Sequence, residues 1–165
     1  MPRRILVVDD EKDVLGAFRR SLELDGYTVS TAESGAEALK LCEETSYDVV
    51  ILDFIMPRMD GIQLLIRIRK LQPHIRSVII SGQLKAEVDE RRLGRELGEW
   101  VEADVYLHKP ISAAKLAETV TSLLNTADSG DWRSLAEQAV KGHKVTLTAA
   151  KKASKSLSAH KKSKE

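Results

Sequence analysis

Five side chains in this sequence could do chemistry together: Asp9, Asp10, Asp53, Ser81 and Lys109. Each lies within two residues of the end of an apolar run of strand length: Ile5–Val8, Val49–Leu52, Val78–Ile80 or Val105–Leu107. If these runs are parallel strands of one sheet, their carboxyl ends point the same way and the five groups share a crevice. Carboxylates about 4 Å apart repel by up to about 4 kcal/mol per pair at an effective dielectric near 20. Three of them therefore need a counter-charge or must take up protons. A hard divalent cation with oxygen ligands supplies that charge, and Mg2+ suits a site completed by waters and a phosphate. Once neutralised, a carboxylate can attack phosphorus, while an ammonium and a hydroxyl meet the equatorial phosphoryl oxygens. Taken alone, Asp53 reads as a turn-capping acid. With its four companions it reads as part of a phosphoryl-transfer site.

The elements that must position these groups follow from periodicity. Arg4–Val8 and Val49–Leu52 are apolar without alternation, the habit of strands buried on both faces. Tyr27–Thr31 alternates and reads as a strand nearer the sheet edge; Ser77–Gly82 and Asp104–His108 complete five strands. Between them lie helical patterns. Val14, Ala17, Phe18 and Leu22 form one stripe, stopped by Asp25-Gly26. Ser34–Glu37 has capping-box spacing and opens a helix carrying Leu39 and Cys42. Asp60-Gly61 opens another with Ile62, Leu65, Ile68 and Leu71, ended by Gln72-Pro73. A charged segment, Lys85–Leu97, is interrupted by Gly94, and Ser112 caps a last helix with Leu116, Val120, Leu123 and Leu124. Five strands alternating with five helices predict a doubly wound α/β domain with a parallel sheet over residues 1–125.

Composition agrees with one such domain and a tail. Of 165 residues 42% are hydrophobic but only 4% aromatic, so the core is built from Leu, Ile, Val and Ala. The single cysteine, Cys42, excludes an internal disulfide and suits a reducing compartment. No apolar run nears 18 residues and no signal-peptide pattern follows Met1, so a cytoplasmic protein without membrane contact is expected. The four histidines have no metal-ligand spacing.

With these motifs assembled, the chain resembles the receiver domains of bacterial two-component response regulators. The resemblance covers residues 3–125. It rests on Asp9-Asp10, on Asp53-Phe54-Ile55-Met56-Pro57-Arg58-Met59-Asp60-Gly61, on Ser81-Gly82 and on Lys109-Pro110, in that order on those elements. The resemblance implies a flavodoxin-like sheet of order 2-1-3-4-5 and a phosphoacceptor at Asp53. It implies Mg2+ held by Asp9, Asp10, Asp53 and the carbonyl of Ile55. Lys109 would pair with the phosphoryl group, and Ser81 would donate its hydroxyl once Asp53 is modified. Tyr106, three before the lysine, would turn inward as Ser81 moves, and Lys109-Pro110 would be a cis peptide. Ile55 and Gln83 would flank the approach of water, and a branched apolar Ile55 predicts slow hydrolysis of the aspartyl phosphate. The implied partners are a histidine kinase or phosphotransfer protein and a downstream protein target. A homodimer through the fourth helix, fifth strand and fifth helix is the family's usual arrangement. No enzymatic output is expected beyond the chain's own phosphorylation and dephosphorylation.

Two features depart from that pattern. Ser81 and Lys109 are 28 positions apart, roughly six more than the resemblance implies, with the excess in Gln83–Glu102; this puts the usual dimer geometry in doubt. The carboxyl end also changes character. Residues 1–125 carry 17 Lys+Arg against 21 Asp+Glu, whereas residues 126–165 carry 9 against 4. After a linker at Asp128–Asp131, residues 126–140 include one short amphipathic helix pattern, Trp132, Leu135, Ala136, Ala139 and Val140. Residues 141–165 hold eight Lys and one Glu, and a segment so poor in apolar residues is expected to be disordered. Such a tail reads first as a solubilising terminus, and otherwise as a nucleic-acid contact or as a strand of charge docking on the acidic domain. Residues 126–165 are too short for a helix-turn-helix effector with its own core.

Overall fold

A computed structural model describes residues 1–82 and 103–129. Five strands, β1 (Arg4–Val8), β2 (Thr28–Ala32), β3 (Val49–Asp53), β4 (Arg76–Ser81) and β5 (Val105–His108), form one parallel sheet of order β2-β1-β3-β4-β5. Four helices are described: α1 (Lys12–Leu24), α2 (Gly35–Glu44), α3 (Gly61–Leu71) and α4 (Ala113–Ser129). The expected helix at Lys85–Leu97, together with Gln83, the Trp132–Val140 helix pattern and the Lys-rich tail, lies outside the described residues.

The unalternating strands are buried on both faces, as their sequence predicts. Leu6, Val8, Val50, Leu52 and Ile79 face one core with Ala38 and Cys42 of α2 and Ile62, Leu65 and Ile68 of α3. Ile5, Val7, Val49, Ile51, Val78 and Ile80 face the other with Leu15, Phe18 and Leu22 of α1 and Leu116, Val120 and Leu123 of α4. Each of these large side chains contributes roughly 1.5–3 kcal/mol by leaving water. The apolar weight on both faces makes β1 and β3 a rigid centre for whatever their ends carry.

Local signals mostly hold, with corrections. On α1 the buried stripe is Leu15, Phe18 and Leu22; Ala17 is exposed because Val14 marks only the stripe's edge, and the position three on falls outside it. The buried face of α3 takes in Leu64 and Ile66, since this helix packs on α2 as well as on the sheet, whereas Leu71, its last residue, is exposed. Asp60 and Gln63 form a full capping box. Ser34 caps α2 by accepting from Glu37 N–H, but the Glu37 carboxylate accepts from Glu33 N–H, one residue before the cap. Ser112 caps α4 through Lys115 N–H. That helix runs on to Ser129, so the first residues of the expected linker are helical.

Candidate functional site

The sheet register brings the chemistry-bearing residues level. Val8 pairs with Leu52, Asp53 with Ile80 and Ser81 with His108. The ladder extends one residue past the strands: Asp9 N–H donates to Ala32 O at 3.2 Å, Phe54 N–H to Ile80 O at 2.9 Å and Lys109 N–H to Ser81 O at 2.8 Å. Asp9 and Asp53 thus leave adjacent strands β1 and β3, where the strand order reverses and doubly wound sheets open a crevice.

Lys109 reaches back over this edge. Its Nζ lies 3.3 Å from Asp53 Oδ2 and 3.6 Å from Asp9 Oδ2. Asp9, Asp10 and Asp53 each offer a carboxylate oxygen, and these oxygens lie within 4.8 Å of one another. Asp9 and Asp53 are buried and Asp10 is exposed, so the cluster is walled by protein on one side and open to solvent on the other. Burial pushes the Asp53 carboxyl above its usual range, and Asp10 adds to that; Lys109 and the Ile55 N–H oppose it without overcoming it. The Asp9 carboxyl is likewise raised by burial and by Asp53, against the Glu11 N–H that donates to its Oδ1 at 2.9 Å and against Lys109. Burial alone would lower the Lys109 ammonium, but Asp53 and Asp9 outweigh it and the net shift is upward. Three carboxylates thus face one ammonium, and the site is short of positive charge.

Residues 5–121 match the family model of the response regulator receiver domain. The chain belongs to this family. The transcriptional regulatory protein PrrA of Mycobacterium leprae (strain TN) is 41% identical to this receiver domain over 121 residues, 73% of this chain and 49% of that protein. A CheY-like receiver domain protein from Methanospirillum hungatei JF-1 has a TM-score of 0.67 at 27% identity, covering 79% of this chain and 99% of that one. The Thermotoga maritima response regulator TrrA, solved in complex with Mg(2+)-BeF, has a TM-score of 0.59 at 32% identity, over 73% and 98% of the two chains. The chain spans about half the length of the curated relatives it matches.

The remaining predicted residues of the receiver domain fall as follows. Ser81 is fully buried at the end of β4. Tyr106 is buried with its ring already inward, and its phenolic oxygen accepts from Ala103 N–H at 3.2 Å. The Lys109-Pro110 peptide is cis. Ile55 stands out into solvent beside Asp53, 58% exposed. Gln83 lies outside the described residues. Two features of the loop after Asp53 were not expected. Arg58 has φ +70, a left-handed conformation that nothing in its residue type announces. Gly61, expected as a helix start and as the last residue of the Asp53–Gly61 motif, packs directly on the Asp53 peptide. A glycine at the first helical position, where better helix formers are available, was the one signal for it.

Proposed function

We propose that this chain accepts a phosphoryl group on Asp53 from the phosphohistidine of a histidine kinase or phosphotransfer protein, and signals through protein contacts that change with the modification. The observation that carries this reading is Lys109 Nζ held between Asp53 and Asp9 at the mouth of a three-carboxylate cluster. In the transfer, an Asp53 carboxylate oxygen forms a bond to phosphorus as the P–N bond breaks, and the bonding pair returns to the imidazole nitrogen. The product is a mixed anhydride on Asp53. Water attack at phosphorus later regenerates the carboxylate and releases inorganic phosphate. The chain turns over no separate substrate.

Asp9, Asp10 and Asp53 would hold Mg2+, with the Ile55 carbonyl as a further ligand. The fit is chemical: the donors are hard oxygens, clustered within 4.8 Å and under-neutralised by Lys109. When bound, the ion offsets the negative charge of the phosphoryl oxygens. That TrrA was solved with Mg(2+)-BeF supports the choice of metal. Lys109 orients and neutralises a phosphoryl oxygen. Ser81 donates its hydroxyl to another, and Tyr106 fills the space behind it. Ile55 crowds the line along which water must approach. A cytoplasmic setting belongs to this reading; Cys42 is buried as a free thiol. No described helix is long and apolar enough to cross a membrane.

The test is to incubate the protein with a small phosphodonor and Mg2+ and measure its mass. We expect the gain of one phosphoryl group, lost in Asp53→Asn. No gain, or an equal gain in the variant, overturns the reading.

One sequence observation favours a second output. Residues 141–165 carry a net charge of +7, from eight Lys against one Glu, and the relatives named PrrA are transcriptional regulatory proteins. In this reading the tail supplies affinity for nucleic acid and the receiver domain gates it. Binding to DNA that falls steeply with salt and vanishes on deletion of residues 141–165 supports it. Phosphorylation-dependent partner binding that survives the deletion supports protein contact alone.

A further inference from the structure

The backbone that carries Asp53 is held from outside its own strand. Gly61 N–H donates to Phe54 O at 2.9 Å, so the first turn of α3 is tied to the residue after the acceptor. The approach is so close that a Cβ on Gly61 would lie 2.8 Å from Asp53 O and 3.1 Å from Phe54 Cα. Both atoms belong to main chain that is fixed by the sheet, since Phe54 N–H bonds Ile80 O at 2.9 Å. Neither can swing aside as a side chain can. A methyl group there must displace either the Asp53–Phe54 peptide, and with it the carboxylate that Lys109 meets at 3.3 Å, or the first turn of α3 that braces that peptide.

We propose that Gly61 is a positioning residue for phosphoryl transfer: its bare Cα lets α3 seat against the Asp53 peptide and fixes the acceptor carboxylate relative to Lys109, Asp9 and Asp10. The proposal rests on Asp53 being the phosphoacceptor, as argued above. No conformational need for glycine competes with this explanation, because Gly61 has no positive φ. On helix propensity alone alanine would be the better residue at this first helical position. Close approach to the acceptor peptide is what the glycine provides.

The molecule contains its own control. Gly35 is also the first residue of its helix, follows a capping side chain at Ser34, and is buried. A Cβ there would meet Met59, at 3.0 Å from Sδ and 3.5 Å from Cε, the far end of a flexible side chain. The same substitution at the same helical position thus meets a neighbour that can yield, whereas at Gly61 it meets one that cannot. A general effect of replacing a helix-start glycine would move both variants alike.

The experiment compares the parent, Gly35→Ala and Gly61→Ala as full chains. The maximal rate of phosphorylation by a small phosphodonor at saturating Mg2+ is read by mass, and cooperative unfolding is followed in urea. A misplacement of about 1 Å can cost about a hundredfold in rate, so for a shift of roughly half that size we expect a loss of at least about tenfold in Gly61→Ala. Gly35→Ala should stay within about twofold of the parent on the same argument, and both variants should unfold cooperatively. A Gly61→Ala loss smaller than about fivefold, well below the expected misalignment effect, overturns the proposal. An equal loss in Gly35→Ala also overturns it. So does a Gly61→Ala chain without a cooperative transition, since the glycine would then be a requirement of folding. Failure of the function itself appears elsewhere: the parent would then gain no phosphoryl group.

Discussion

If the acid cluster is kept at the expense of stability, then Asp53→Asn should make the metal-free chain more stable. The asparagine preserves shape and removes one charge. At an effective dielectric near 20, the 3.3 Å contact with Lys109 stabilises ionised Asp53 by about 5 kcal/mol. Asp9 and Asp10, with oxygens inside 4.8 Å, each oppose it by at least about 3.5 kcal/mol on the same scale. Asp10 is exposed, and halving its share for solvent screening leaves about 5 kcal/mol of repulsion in all. Attraction and repulsion nearly cancel. The desolvation of a buried carboxylate then decides the balance, in keeping with the upward shift of the Asp53 carboxyl. We expect Asp53→Asn to gain about 1–3 kcal/mol at pH 7 in the presence of a chelator.

The pH dependence follows from linkage. Asp53 and Asp9 have folded-state pKa values above their ordinary ones, so the folded chain binds protons more tightly than the unfolded chain. This contribution to stability is fully present below the ordinary aspartate value of about 3.9 and is lost as pH rises through the raised folded values. The advantage of Asp53→Asn should therefore shrink as pH falls from 7 toward about 4, where the parent carboxyl takes up its proton. Saturating Mg2+ should act in the opposite sense. At a hundredfold excess over Kd the parent gains about 2.7 kcal/mol, and the variant, with one carboxylate fewer, gains less. Urea unfolding of both proteins, with chelator and with Mg2+ and across that pH range, measures all three effects. A variant less stable than the parent in chelator at pH 7, or an advantage that does not change with pH, would refute the reasoning.

Three further outcomes are expected. Tyr106→Phe leaves the Ala103 N–H without its acceptor and should destabilise the chain by about 1 kcal/mol in urea unfolding; no change would mean that the hydrogen bond at 3.2 Å is replaced. Asp104 Oδ2 accepts from Ser77 N–H at 2.8 Å and from Arg69 Nη2 at 3.3 Å, at the sheet edge opposite the acid cluster. Asp104→Ala should cost about 2 kcal/mol, the side chains being partly exposed, while phosphorylation proceeds at the parent rate. Ile55→Asn should shorten the lifetime of the phosphorylated form, measured as mass loss over time after the phosphodonor is removed. An unchanged lifetime would show that the exposed Ile55 does not hinder water.

Fold and site were legible in the sequence to different depths. The strands were readable because burial on both faces leaves an unbroken apolar run, and because a parallel sheet sends every run's last residue to one edge. Asp9, Asp53 and Lys109 could therefore be brought together without any knowledge of distance. Helix faces were less readable, since a stripe marks only the part that meets the sheet. Leu64 and Ile66 are buried in a core shared with α2, a contact between elements that no single periodicity encodes. The Tyr106–Ala103 hydrogen bond and the Arg69–Ser77–Asp104 cluster were invisible for a similar reason: each depends on where a loop crosses, not on a repeat. The tight seat of Gly61 is the extreme case, because the informative atom is the one that glycine lacks.

These observations place stability and chemistry in different parts of the same elements. The middle residues of β1 and β3 are wholly apolar and buried on two faces, while their next residues are acids that burial disfavours. A cluster short of positive charge would drift apart on mobile loops, since outward movement relieves both repulsion and desolvation. Here it cannot, because the backbone of Asp9 and Phe54 is hydrogen-bonded into the sheet and Gly61 closes on the Asp53 peptide from the other side. Under the proposed function, the unrelieved charge would make the site receptive to a cation and to the phosphoryl group that a cation accompanies. Relaxing the frame at Gly61 should therefore ease the folded chain's electrostatic burden while it slows the chemistry. Removing the charge at Asp53 should raise stability and abolish the chemistry altogether.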